Sequence, residues 1–138
     1  MRQMGEIVRQ QKPLIMGSKD TVKRACEHMR DRRVGAVLVA DADRRLLGIF
    51  TGRDAVCRVL AEAKDAARVT LGDVMTGDPE TLSPRKSAID ALRMMRDGGY
   101  RHLPVVENGH IVGIVSKGDF RGIEQDRLDE ETGIWERL

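Results

Sequence analysis

Gly48-Ile49-Phe50-Thr51-Gly52-Arg53-Asp54 is answered 65 positions later by Gly113-Ile114-Val115-Ser116-Lys117-Gly118-Asp119. In each stretch an apolar run of strand character ends in a hydroxyl residue. Three positions on, a carboxylate stands where a helix begins. The same local design written twice makes the chain an internal duplication.

The duplication extends outward from these segments. Pro13, Ala25, Met29, Arg30, Asp31 and Val39 recur as Pro79, Ala91, Met95, Arg96, Asp97 and Val105 at a constant offset of 66. One residue is lost between strands, where Asp41-Ala42-Asp43-Arg44-Arg45 faces the shorter Glu107-Asn108-Gly109-His110, and both read as polar turns. Self-similarity at this period signals supersecondary units that cannot bury their apolar faces alone. A length of 138 residues suits two half-domains sharing a core.

Each copy reads as strand, helix, strand, strand, helix. The first helix, about residues 20–31, carries Val22, Ala25, Cys26 and Met29 at i, i+3, i+4 and i+7, and Ala88, Ala91, Leu92 and Met95 repeat that stripe after a start at Ser83 and Pro84. The runs Val37–Val39, Leu46–Phe50, Leu103–Val106 and Ile111–Val115 are short and nearly continuous, as in strands covered on both faces. After Asp54 a helix over 52–64 is expected to bury Val56, Val59, Leu60 and Ala63; its counterpart after Asp119 has Phe120, Ile123 and Leu128. The layout is a lead-in helix within 1–12 (Met4, Ile7, Val8), copy one at 13–65, a connector at 66–78 with one helical turn around Leu71, Val74 and Met75, copy two at 79–126, and a charged tail at 127–138 holding Ile134, Trp135 and Leu138.

Composition excludes several classes of function. The 24 basic and 22 acidic side chains are interspersed, which disfavours a nucleic-acid arm or an acidic tail. No run approaches the roughly 18 apolar residues of a membrane span, and Met1–Glu6 leads into no signal-peptide core, so a cytoplasmic protein is expected. Cys26 and Cys57 are too few for a disulfide framework and read as packed thiols. His28, His102 and His110 lie on separate elements without metal-ligand spacing. With no phosphate-binding glycine loop and no nucleophile beside a base, catalysis is not expected.

The duplicated hydroxyl and carboxylate admit two chemistries. Thr51 with Asp54, and Ser116 with Asp119, could hold the vicinal hydroxyls of a ribose, the carboxylate oxygens accepting and the hydroxyl donating or accepting. Equally, each Thr or Ser could cap the following helix while each Asp offsets its positive end.

Taken with the connector Asp73-Val74-Met75-Thr76, the following Pro79 and the run Arg101-His102-Leu103-Pro104-Val105-Val106, the paired segments resemble a tandem pair of CBS domains, together a Bateman module, over about residues 7–126. The resemblance implies an α/β fold of two β-α-β-β-α repeats related by a pseudo-twofold, here as a stand-alone CBS pair. It implies a regulatory rather than catalytic module, with clefts for an adenosine-containing ligand such as AMP, ADP, ATP, NAD(H) or S-adenosylmethionine. Ribose then falls to Thr51, Asp54, Ser116 and Asp119, and phosphate to Arg53, Arg101, His102 and Lys117. The pseudo-twofold would carry Arg101 and His102 towards the Asp54 cleft. The base would lie against Ile15, Met16, the 34–36 stretch including Gly35 and Ala36, Thr81, Leu82 and Tyr100. A homodimer packed through helix 52–64 and the helix from Phe120, with a separate effector protein as partner, is expected. The rival reading is a structural or protein-interaction module without a ligand.

Overall fold

The computed structural model describes residues 2–120. Readings that concern Ile123, Leu128, Ile134, Trp135 and Leu138 lie outside the described residues. In chain order the elements are α1 (Met4–Val8), β1 (Ile15–Met16), α2 (Val22–Arg32), β2 (Ala36–Ala40), β3 (Leu46–Thr51), α3 (Gly52–Asp54) running into a π-helical stretch Ala55–Leu60, α4 (Leu71–Val74), β4 (Thr76–Gly77), α5 (Ala88–Gly98), β5 (His102–Glu107), β6 (His110–Ser116) and a 3-10 turn Lys117–Asp119. They form two compact units. Of the described residues, the first unit takes 12–79 with 108–111, and the second takes 2–11, 80–107 and 112–120.

The first unit is built on a four-stranded sheet in the order β1-β2-β3-β4. β1 runs parallel to β2, and β2 and β3 pair antiparallel with Ala36 opposite Thr51 and Leu38 opposite Ile49. Every residue of β2 is buried, as expected of a central strand covered on both faces. The amphipathic stripe of α2 supplies Val22, Ala25 and Met29 to a core with Val37, Val39, Phe50, Val59, Leu71 and Val74. Cys26 is only partly buried beside this core, and desolvation raises its thiol pKa.

The sheet closes onto the connector at Gly48. A Cβ there would lie 2.6 Å from Met75 Sδ and 2.7 Å from the Thr76 carbonyl oxygen, so only glycine lets β4 approach β3.

β5 and β6 form a two-stranded sheet, joined by Asn108 and Gly109 with φ of 52° and 81°. Two successive positive φ values suit a primed hairpin turn, for which Asn-Gly is the strongest short-range signal. The counterpart of β1 is a single parallel bridge, Leu82 to Val105, with Leu82 N–H donating to the Pro104 carbonyl at 3.0 Å. Ala88, Ala91, Leu92 and Met95 of α5 are buried with Leu103, Val105 and Val115. This core also takes Met4 and Val8 from α1, whose amides Met4 and Gly5 donate to the carbonyls of Lys86 and Pro84. α4 does the same in the first unit, where Leu71 and Gly72 N–H donate to Asp20 and Ser18 carbonyls. The helix written before each copy therefore packs in the unit of the other, and units and repeats are not drawn along the same lines.

Four expectations need correction. Cys57, read as a packed thiol, is exposed. α5 begins at Ala88, not at Ser83 and Pro84, because Ser87 and Asp90 form the capping box that fixes its start. The helix after Asp54 is not a regular α-helix to residue 64: it widens into the π-helical turn and buries only Val59, leaving Val56 at 55% and Leu60 at 73% exposure, with Ala63 exposed beyond it. Phe120, assigned to a dimer face, is 4% exposed and belongs to the second unit's own core.

Candidate adenosine-ligand sites at the two strand ends

Each duplicated segment places its hydroxyl at the last residue of a strand and its carboxylate in the turn that follows. In the first, Thr51 N–H and Oγ1 both donate to Asp54 Oδ2, at 2.9 and 3.1 Å, and Asp54 N–H donates back to Thr51 Oγ1 at 3.3 Å. In the second, Ser116 N–H and Oγ donate to Asp119 Oδ2 at 2.7 and 3.3 Å. Both are capping boxes, so the helix-capping role holds. It does not exhaust the carboxylate. A carboxylate offers about four lone-pair positions on two oxygens. The box engages Oδ2, and Oδ1 lies outside it.

Capping alone does not distinguish these two turns. Thr70 with Asp73 and Ser87 with Asp90 form the same box at the starts of α4 and α5. Those two carboxyls sit below the ordinary carboxylate range, chiefly because they accept the backbone N–H of Thr70 and Ser87 respectively. The Thr51 and Ser116 turns differ in their setting. Gly52 N–H donates to the Gly35 carbonyl at 3.1 Å, and Lys117 N–H donates to the Arg101 carbonyl at 2.9 Å. In both units the hydroxyl-carboxylate turn is thereby bonded to the start of the neighbouring strand, β2 or β5.

This bond decides which predicted residues come together. In the first unit Gly35 and the buried Ala36 lie beside Thr51, Gly52 and Asp54, with exposed Arg53 between. Ile15 and buried Met16 form β1, paired with Leu38 and Val39 on the far side of β2 from Thr51. In the second unit exposed Arg101 and half-buried His102 lie beside Ser116, exposed Lys117 and Asp119 of their own copy. The His102 pKa is held below its ordinary value, first by burial and then by the Arg101 charge, with Asp119 opposing. Thr81 is half-buried, and Leu82 is buried on its bridge to Val105.

Tyr100 is partly buried and packs beside the second unit's core. Its ring covers Gly98, where a Cβ would fall 2.0 Å from Tyr100 Cε1, and its hydroxyl donates to Glu80. Burial, followed by the Glu80 interaction, pushes the phenol up to about 12, so it remains a donor at neutral pH.

One contact escaped the sequence reading. Arg58 Nε lies 3.6 Å from Asp54 Oδ1, and Arg58 Nη1 donates to the carbonyls of Val74 and Met75 at 3.2 and 3.1 Å. The signal was present, since Asp and Arg four apart on a helix face each other.

Among the described residues no His, Cys, Asp and Glu group could hold a metal ion, and no helix is long and apolar enough to cross a membrane. A two-unit α/β chain with matched strand-end turns is the architecture of a CBS pair. The CBS domain family profile matches residues 5–60 and 71–125, and the chain belongs to the CBS domain family. It is 40% identical over 108 residues, 78% of its length and 20% of the relative's, to a CBS domain-containing protein of Arabidopsis thaliana. It spans about a fifth of the length of this and the other first-ranked plant relatives. Among solved structures, a CBS domain protein from Pyrobaculum aerophilum complexed with AMP superposes with a TM-score of 0.83 at 22% identity, covering 93% of this chain and 98% of that one. A CBS domain pair in complex with 5′-methylthioadenosine and S-adenosyl-L-methionine gives 0.78 at 21% identity, covering 96% and 99%. At these identities the likeness establishes the fold.

Proposed function

We propose that the chain is a regulatory module in which each copy holds an adenosine-containing ligand and passes its occupancy to a partner protein or to its own oligomer. The observation that carries this reading is the repeated turn, a hydroxyl and a carboxylate bonded to the start of the adjacent strand in both units. Ribose hydroxyls are assigned to Thr51 and Asp54 and to Ser116 and Asp119. Phosphate is assigned to Arg53 in the first copy and to Arg101, His102 and Lys117 in the second. The base is assigned to Gly35 and Ala36, with Ile15 and Met16, in one copy and to Thr81 and Leu82 in the other. The adenosine compounds held by the two CBS-pair neighbours support this class of ligand. A regulatory rather than catalytic role is the general property of the family, and we extend it to this chain.

A thermal-shift screen tests the reading. Binding to the folded state alone stabilises it by RT ln(1 + [L]/Kd), about 2.7 kcal/mol at a hundredfold excess over Kd. One or more of AMP, ADP, ATP, NAD(H) and S-adenosylmethionine is expected to raise Tm by several degrees, and GMP to raise it less. No shift with any adenosine compound would remove the reading.

The same screen carries a pH dependence. Burial of His102 adds no pH-dependent cost while the imidazole is neutral, and it destabilises the fold as pH falls from the ordinary range near 6.5 through the depressed value. A bound phosphate opposes that depression, so the AMP-induced shift should grow as pH falls below about 6.5. The phosphate itself titrates near pH 6. The growth is therefore read against His102→Asn, which should lose it, and against adenosine, which should never show it.

We assign the outward Val56 and Leu60 to contact with a second copy of the chain, since adjacent exposed apolar side chains are the kind of patch that association covers. Light scattering should give a dimer that Leu60→Asp converts to monomer without loss of fold. A monomeric parent protein at tens of micromolar would reject the assignment.

A further inference from the structure

Arg58 joins the first candidate site to the connector. Its guanidinium meets Asp54 Oδ1 on one side and the Val74 and Met75 carbonyls on the other. Those carbonyls lie at the C-terminal end of α4, where unpaired C=O groups and the negative end of the helix favour a cation. Met75 leads directly into β4, which closes the sheet against β3 at Gly48. The second copy has Ile123 at the matching position, so the sequence provides this link once.

Asp54 has a limited capacity to accept. Oδ2 takes the Thr51 N–H and hydroxyl, which fills its two lone pairs, and Oδ1 is shared with Arg58. A diol donating both hydroxyls to Oδ1 leaves no place for the guanidinium. Arg58 is 47% exposed in its side chain and can swing outward to water once released. We propose that Arg58 is a ligand-displaced latch: occupancy of the Asp54 carboxylate by a diol frees Arg58, and the freed arginine lets go of the connector carbonyls. This rests on the adenosine-ligand reading above and adds to it the route by which one site, and not the other, reports its occupancy.

AMP is the probe, in an Asp119→Ala background that isolates the first site. Removing a competitor strengthens binding, and an ion pair this exposed limits the gain, so Arg58→Met should bind AMP about two- to fivefold tighter. In the background protein AMP should accelerate amide exchange over residues 71–77, and in Arg58→Met this acceleration should vanish because the segment is already released. Arg58→Lys, whose single ammonium reaches Asp54 but cannot also span the carbonyls, should restore the parent affinity without restoring the exchange response. Weaker AMP binding in Arg58→Met would make Arg58 a direct ligand contact and overturn the latch. So would an AMP-induced exchange change of equal size in both proteins, or none in either while calorimetry records binding. Absence of saturable heat from AMP and adenosine in every protein would overturn the ligand reading, and the latch with it.

Discussion

Phe50→Ala is expected to lower the unfolding free energy by about 3–5 kcal/mol, the range for truncating a buried aromatic. Phe50 is fully buried in the first unit's core beside Val37, Val39 and Val59, one residue before Thr51. The loss combines apolar transfer with the cavity left behind, and it is a large part of the roughly 5–15 kcal/mol that folded domains possess. Urea unfolding should show the midpoint falling with the slope unchanged. Glu62→Ala, at an exposed position beyond the following turn, should stay within about 0.5 kcal/mol of the parent. A Phe50 variant as stable as the parent would mean that this strand does not organise the core.

The second large effect falls on binding. Asp54→Ala and Asp119→Ala should each weaken an adenosine ligand at their own site at least a hundredfold, since hydrogen bonds to a charged group contribute about 1.5–3 kcal/mol each and a diol makes two. Their stability cost should be only about 1 kcal/mol, the ordinary loss of a helix cap. Asp73→Ala and Asp90→Ala are matched controls, because both carboxylates form the same box at the starts of α4 and α5. They should lose comparable stability and leave binding intact. If all four substitutions change stability alike and none changes affinity, the repeated motif is a cap and nothing more.

The contrast among these four boxes shows what the sequence makes legible. The spacing of a hydroxyl and a carboxylate predicts a cap wherever it occurs, and only the paired recurrence after an apolar strand singles out Thr51 and Ser116. The stripes of α2 and α5 were readable because a 3.6-residue period survives in the residue types themselves, and the second hairpin because Asn108 and Gly109 carry the backbone preference of the turn. The Ala55–Leu60 turn was not readable. A widened helix rotates side chains away from the faces an α-helical wheel assigns, so Val56 and Leu60 point outward although their spacing suits a core. The start of α5 falls at Ser87 and not at Ser83 and Pro84, because Ser87 is the serine bonded to Asp90.

Docking was the least legible property. Met4, Ile7 and Val8 announce an amphipathic helix, but nothing local says that it serves the core of Leu92, Leu103 and Val105. That pairing depends on backbone bonds from Met4 and Gly5 to residues far along the chain. Arg58 is similar: its i,i+4 relation to Asp54 is in the sequence, whereas its bonds to Val74 and Met75 exist only once the connector is folded against β3.

Isothermal titration of AMP, ADP, ATP, NAD(H) and S-adenosylmethionine into the unmodified protein, repeated with the Asp54→Ala, Asp119→Ala double variant, tests the central claim most directly. The account predicts saturable heat for at least one of these ligands, with up to one molecule bound per copy, and its disappearance in a double variant that still unfolds cooperatively. No saturable heat from any of them at millimolar concentration, or undiminished binding in the double variant, would contradict it.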